Sequence, residues 1–345
     1  MDSTILLFLI QDGVTNGALY ALMGIATVLV FAVTRVIFVP QGEFVTYGAL
    51  TLALLDAGRT PGTIWLLCAF GLAAFLIEMW SSRKSATRKS VINNILWKLV
   101  LPAVIAVIVM WLAPMKLPSW VNMLLTLAII APMGSYLYTI AFRPIESASI
   151  LTLLIVAIGV HLAMTGLGLL FFGAEGLRAE PLSNASFNLG PLNITGQNIA
   201  VYALTLACMV ALSVFFSRTL AGKALRATAV NRVGARLVGV RTALAGTIAF
   251  SLAAVIGALS GALNAPTTTI YYDTGFLIGL KGFIAAIIGS LASYPITVVA
   301  AIGVGLVEAF ASFYYSQFKE VIVFTLIIPV LVWLSLTTHH VEEEE

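Results

Sequence analysis

The sequence predicts an all-α, polytopic membrane helix bundle with room for about eight to eleven transmembrane or half-spanning helices of roughly 20 residues each. Three observations predict it. Of the 345 residues, 60% are hydrophobic and only 10% are charged, whereas an ordinary soluble domain is about 45–50% apolar and about 25% charged. Mean hydropathy is +1.04. The apolar residues fall in continuous runs and do not alternate with period two, as membrane barrel strands would. In lipid such runs satisfy their backbone as helices. A soluble fold of this size has no surface for so much apolar area, which excludes a cytosolic enzyme, a disordered chain and a small secreted domain. The net charge of +3 is too small to imply a nucleic-acid partner.

The runs are read in chain order. Ile5–Ile10 continues, after a polar break, into Val14–Val33. The residues before it, Met1-Asp2-Ser3-Thr4, lack the positive region of a signal peptide, so this stretch is expected to stay in the mature protein. Val36–Leu55 opens on Pro40-Gln41-Gly42 and reads as a broken or partial span. Thr63–Trp80, Ile95–Ala113, Trp120–Phe142 and Ile150–Phe172 follow. Gly173–Asn198, rich in turn formers and with one basic residue, reads as an outside loop. Ile199–Phe216 and Thr242–Ala265 are ordinary spans. Gly275–Leu291 carries Lys281 among glycines and reads as a candidate re-entrant segment; Ile296–Phe313 and Val321–Leu336 complete the series. Glycines four apart (Gly13 and Gly17, Gly257 and Gly261, Gly275 and Gly279) predict close helix packing. Cys68 and Cys208 lie inside apolar runs and read as small buried hydrophobes.

Charge sets the orientation. Arg83, Lys84, Arg88, Lys89 and Lys98 form one basic cluster; Arg218, Lys223, Arg226, Arg232, Arg236 and Arg241 form another. Together they hold eleven of the 18 basic residues, so both loops are expected on the cytoplasmic side. Within the second, Leu225, Ala229, Val233 and Leu237 recur every four residues, with Gly234 and Gly239 as punctuation. That pattern predicts an amphipathic helix or helix pair at the membrane surface: a membrane-hugging basic loop or a docking element for a cytoplasmic partner.

Enzyme templates fail. No His-Glu-x-x-His pair occurs, and the Gly275–Lys281 string lacks the glycine before the lysine and the Ser or Thr after it that a P-loop needs. The paired His339 and His340 are no metal site by themselves. Buried ionisable residues carry the functional reading instead, because each is costly inside a membrane. They are Glu43, Glu78, His161, Lys281 and Glu308. Glu78 and Lys281 read as snorkelling near segment ends, His161 as a packing histidine, and Glu308 as an ion-pair partner of Lys281. Glu43 follows a helix start, where free N–H groups favour a carboxylate, and reads equally as a cap or a pathway residue.

Several stretches carry a resemblance. Asn16-Gly17-Ala18-Leu19-Tyr20-Ala21-Leu22 with Phe38-Val39-Pro40-Gln41-Gly42-Glu43 is the first, although Gln41 stands where the family has histidine. Phe142-Arg143-Pro144-Ile145 with Ala157-Ile158-Gly159 is the second. Gly222-Lys223-Ala224-Leu225-Arg226-Ala227 through Ala235-Arg236-Leu237-Val238-Gly239-Val240 is the third, and Gly279-Leu280-Lys281-Gly282-Phe283 lies downstream. In this order they resemble the permease family of the high-affinity branched-chain amino acid ABC importers, of the leucine/isoleucine/valine type.

The resemblance implies one transmembrane permease domain over 1–345, with a cytoplasmic coupling loop at about 218–241 and a flexible acidic tail at 338–345. It implies a bacterial inner-membrane location, a second permease chain, two cytoplasmic ATPase subunits that bind the ATP and magnesium, and an extracytoplasmic binding protein that delivers a small solute. No cofactor or metal is expected in this chain. Gly222, Arg226, Ala229, Asn231, Arg232, Leu237 and Gly239 are the expected ATPase-docking residues; Asn16, Tyr20, Gln41, Glu43 and Asn264 are the pathway candidates. The Gln41 difference leaves the solute open among branched-chain and other amino acids, urea, amides and small organic acids. The rival readings are a stand-alone ion-coupled transporter using Glu43, His161 or Glu308, and an intramembrane enzyme whose catalytic pair the sequence does not supply.

Overall fold

The computed structural model describes residues 3–81, 88–189 and 192–337. Its helices are α1 (Ser3–Thr34), α2 (Gln41–Asp56), α3 (Thr63–Ser81), α4 (Arg88–Ile95), α5 (Leu101–Leu112), α6 (Ser119–Leu137) and α7 (Ile150–Phe172), then α8 (Gly196–Arg218), α9 (Leu220–Val230), α10 (Arg232–Leu237), α11 (Thr242–Asn264), α12 (Thr274–Ile288), α13 (Tyr294–Tyr314), α14 (Lys319–Thr325) and α15 (Ile327–Thr337). A π-helical turn, Leu96–Val100, fuses α4 to α5, and a hairpin of β1 (Ser186–Leu189) and β2 (Leu192–Thr195) precedes α8. Among the described residues nine helical segments are long and apolar enough to cross a membrane, and α12 is a shorter apolar helix. Arg83 and Lys84 and the tail 338–345 lie outside the described residues.

The two ends of the bundle differ. The start of α1 meets the hairpin side: Gln11 Nε2 donates to Asn193 O at 3.3 Å, and the Thr15 and Tyr202 hydroxyls are 2.6 Å apart. Its far end, Leu29 and Val33, packs with Leu225, Ala245 and Ala249 beside the second basic loop. Glu146, in the turn between α6 and α7, pairs with Arg232 and Arg236, and Arg143 pairs with Glu78 near the end of α3. The described parts of both basic clusters therefore share one end, as the charge pattern requires. Lys98 departs from that pattern. It is buried in the π turn and pairs with Glu78, so it belongs to a span and not to a loop.

The broken span is real. After Thr34 the chain turns back through an extended stretch whose Phe38 is clamped edge-on by Phe142 and Phe250. Only at Gln41 does α2 begin. Its 16 residues span roughly 24 Å, and every one but Asp56 is buried. Glycines allow that seating. Gly42 and Gly275 touch backbone to backbone, and Gly261 lies against the Val45 carbonyl. On the other side Gly305 of α13 faces the backbone of Gly13 and Gly17 of α1, with Gly17 Cα 2.7 Å from where a β-carbon would stand. The paired glycines of the sequence are thus the contact lines of α1 with α13, α2 with α11, and α2 with α12. Cys68 and Cys208 are free and half-buried against the main core.

Candidate functional site

Two places concentrate the expected residues. The first is the helix pair at the basic end. The four-residue stripe does not form one helix, because Asn231 breaks it. Its backbone is extended, and its side chain accepts from Gly234 N at 2.8 Å, capping α10. Thr219 caps α9 in the same way, accepting from Gly222 N at 2.9 Å. The break splits the stripe. Leu225 turns inward onto α1 and α11, whereas Val233 and Leu237 stay outside. With Val230 and Val238 they form an apolar surface whose residues are 69–85% exposed. Gly239 closes α10 at φ +87°, a conformation that side chains disfavour.

This surface is held from below by one carboxylate. Glu146 Oε2 accepts from Arg232 at 2.7 Å and Oε1 from Arg236 at 2.9 Å, and Arg232 also donates to the Glu146 carbonyl at 3.2 Å. Arg226 turns away from the surface and donates to the Phe216 carbonyl at the end of α8. Ala229 is half-buried and Gly222 is packed against Phe215 and Phe216. Of the seven expected docking residues, Leu237, Asn231 and Gly239 are openly presented, while Arg226 and Arg232 tie the pair to the bundle.

The second place is the start of α2. Gln41 donates to the Ala253 carbonyl at 2.8 Å, but its Oε1 has no partner. Glu43 is fully buried. Its Oε1 lies 2.9 Å from His161 Nδ1 and 3.3 Å from the Thr165 hydroxyl, while Oε2 is unpartnered. Phe276 of α12 stacks on the His161 ring at 4.4 Å. Two acceptor atoms without donors therefore sit at the start of a half-span. A buried acceptor left unpaired costs about 1–3 kcal/mol, and a group with donors to spare, such as an ammonium, would recover it.

The remaining pathway candidates do not converge there. The Tyr20 hydroxyl donates to Glu308 Oε2 at 2.5 Å, and Lys281 holds Glu308 at 2.6 Å and Glu320 at 3.1 Å. Lys281 is buried within α12 and does not snorkel; its expected pairing with Glu308 is present. Asn264 accepts from Thr267 at 2.9 Å at the end of α11, and Asn16 is half-buried on α1. Glu146, Thr165 and Phe276 escaped the sequence reading. Only Glu146 leaves a sequence trace, as an acid in the turn after Arg143-Pro144. No group of three or more His, Cys, Asp or Glu able to hold a metal occurs among the described residues.

Membrane-length helices wrapped around a buried half-span define a multi-pass membrane protein. Residues 9–331 match the family described as the branched-chain amino acid transport system permease component, and the chain belongs to that family. The high-affinity branched-chain amino acid transport system permease protein LivH of Escherichia coli (strain K12) is 27% identical over 348 aligned positions, covering 96% of this chain and 95% of that protein. LivH of Salmonella typhimurium is likewise 27% identical over 346 positions with the same coverage. BraD of Pseudomonas aeruginosa, described in the same terms, is 30% identical over 210 positions, 58% of this chain and 67% of that one. No solved structure matches the chain. These relatives are transport permeases by name.

Proposed function

We propose that this chain is the membrane-spanning subunit of an ATP-driven ABC importer of branched-chain or closely related amino acids in a bacterial inner membrane. The family supports the solute class. The observation that carries the ATP-driven reading is the apolar surface of Val230, Val233, Leu237 and Val238, which the chain holds out at its basic end on two capped helices. An exposed apolar surface of this kind marks a contact with another protein or with the membrane. Here the partner is one of two cytoplasmic ATPase subunits, which supply the ATP and magnesium chemistry. A second permease chain completes the pathway, and an extracytoplasmic binding protein delivers the solute.

The geometry supports a mechanical route. A push on α10 reaches Glu146 through Arg232 and Arg236, and Glu146 begins the turn into α7. Farther along, α7 carries His161 and Thr165 against Glu43. Docking and the start of α2 are thus joined by one helix, so two arrangements of α10 would bias two arrangements around Glu43. Coupling requires that the ATPase bind those arrangements with different affinity. At the α2 start, the free Glu43 oxygen suits the ammonium of an amino acid, while Gln41 faces α11 on another side of the helix. Tyr20, Asn16 and Asn264 fall away from that contact.

The test is uptake of labelled leucine by cells expressing the full transporter, with Leu237→Glu, Arg226→Glu and Gly239→Trp. Each is expected to abolish uptake while the chain still inserts, and Leu237→Glu is expected to lose co-purification with an ATPase. Gradient-driven uptake by the purified chain alone, unaffected by these changes, would establish the stand-alone ion-coupled carrier instead.

A further inference from the structure

A second feature of the basic end belongs neither to docking nor to the pathway. A cavity of about 750 Å³ opens between α4–α5, α6 and the start of α11. Its walls carry Lys98, Arg143 and Arg241 but a single acid, Glu78. That acid already serves both Lys98 and Arg143, and Arg241 has no carboxylate partner among the described residues. The cavity therefore has an excess of positive charge. The carboxamides of Asn93 and Asn94 also line it and make no hydrogen bond among the described residues, so donors are available beside the cations.

The surroundings say what kind of anion fits. Trp97 stands in the cavity wall and Trp80 in the wall of an adjoining cavity of about 710 Å³ that shares Glu78 and Arg143. Both indoles are exposed, and Trp concentrates at the level of lipid headgroups. One turn farther along the same helix the polar lining ends. Val100, Val104, Val107 and Ile108 line a groove of about 450 Å³. A basic, donor-rich chamber and a shallow, wholly aliphatic groove thus occupy successive stretches of the same helix, with no lining residue in common. A soluble anion would use the first half only, and an uncharged lipid would leave Arg241 unmatched.

We propose that this cavity binds the phosphate-bearing headgroup of an anionic glycerophospholipid from the leaflet at the basic end, with one acyl chain laid in the groove of α5. Basic recesses between membrane helices on the cytoplasmic side are suited to such headgroups. Arg241 and Arg143 contact the phosphate, Asn93 and Asn94 the glycerol oxygens. Because Arg241 opens α11 directly after α10, the lipid anchors the frame against which the docking helices sit.

The test is lipid analysis of the full-length chain purified in mild detergent from membranes of known composition, with mass spectrometry of the retained phospholipid. Phosphatidylglycerol or cardiolipin is expected to be enriched over phosphatidylethanolamine relative to the bulk membrane. Arg241 has no carboxylate partner to lose, so Arg241→Glu is expected to fold as the wild type does while cutting that enrichment roughly thirtyfold, because two charges change at about 1 kcal/mol each near the surface. Val104→Asn in the groove is expected to lower it independently of charge. Unchanged enrichment in both folded variants overturns the proposal. Displacement of the lipid by inorganic phosphate or glycerol phosphate reassigns the cavity to a soluble anion, and displacement by leucine reassigns it to the transport pathway; either result also overturns it.

Discussion

Two charged clusters are buried in this bundle, and they are finished differently. Around Lys281 all but one partner is supplied from within: Glu308 and Glu320 hold the ammonium, the Tyr20 hydroxyl and ring cover one side, and Glu320 Oε2 alone is left unpartnered. Around Glu43 the count falls short, because Glu43 Oε2, Gln41 Oε1 and His161 Nδ1 lack good hydrogen-bond partners. Evolution tolerates unmatched buried polar atoms mainly where something else completes them. The first cluster is therefore read as a strut joining α1, α12 and α13, and the second as a place for a solute. Neither reading follows from burial alone, since both clusters are buried.

The largest effect separates the two directly. Lys281→Met leaves the buried Glu308 without a cation, Lys319 reaching only Glu320, at 3.9 Å, and breaking a buried pair in this way costs roughly 3–5 kcal/mol. Thermal unfolding in detergent should show a chain that barely folds, and adding Glu308→Gln should restore much of the loss. Glu43→Gln is the counterpart. It preserves shape, leaves stability within about 1 kcal/mol and should abolish leucine uptake. Equal destabilisation by Lys281→Met and Glu43→Gln would erase the distinction between strut and site.

Much of this was legible in the residues. The glycine pairs marked the helix contacts, Pro40-Gln41-Gly42 marked the break before α2, and Lys281 with Glu308 could be paired because both lie in apolar runs. What stayed hidden is what hydropathy cannot carry. Lys98 stands between two basic residues and an apolar run, so charge alone placed it in a loop; only the packing of α3 brings Glu78 to it. Glu43 and His161 are separated by more than a hundred residues, and nothing local announces their contact. Asn231 is the reverse case, since an Asn three residues before Gly234 is a readable cap, and it decides for the helix pair over the single helix that the stripe also allowed.

A smaller effect sharpens the link between docking surface and site. Glu146→Gln removes the charge that holds Arg232 and Arg236, which are partly exposed. Surface pairs of this kind contribute about 0–1 kcal/mol, so unfolding should hardly change. Uptake should nevertheless fall at least tenfold if α10 drives α7 through this carboxylate, with ATPase binding retained. Normal uptake would show that the push travels elsewhere, through Leu225 onto α1 and α11.

The finest contrast lies in two glycines of one helix. Gly305 meets α1 so closely that any β-carbon would press on the backbone of Gly13 and Gly17, and backbone cannot step aside. Gly305→Ala should cost about 1–3 kcal/mol, as overpacking does. Gly303, two residues earlier, has nothing within 4 Å of its would-be β-carbon and is exposed. Gly303→Ala should stabilise the isolated chain by about 0.5–1 kcal/mol, because alanine gives up less backbone freedom in a helix than glycine. The same helix thus offers an internal control in which identical chemistry changes sign with the neighbour. The isolated chain and the assembled transporter should then be compared. If Gly303→Ala stabilises the first but weakens the second, this face of α13 is covered by another chain at backbone distance; if it stabilises both, the face looks onto lipid.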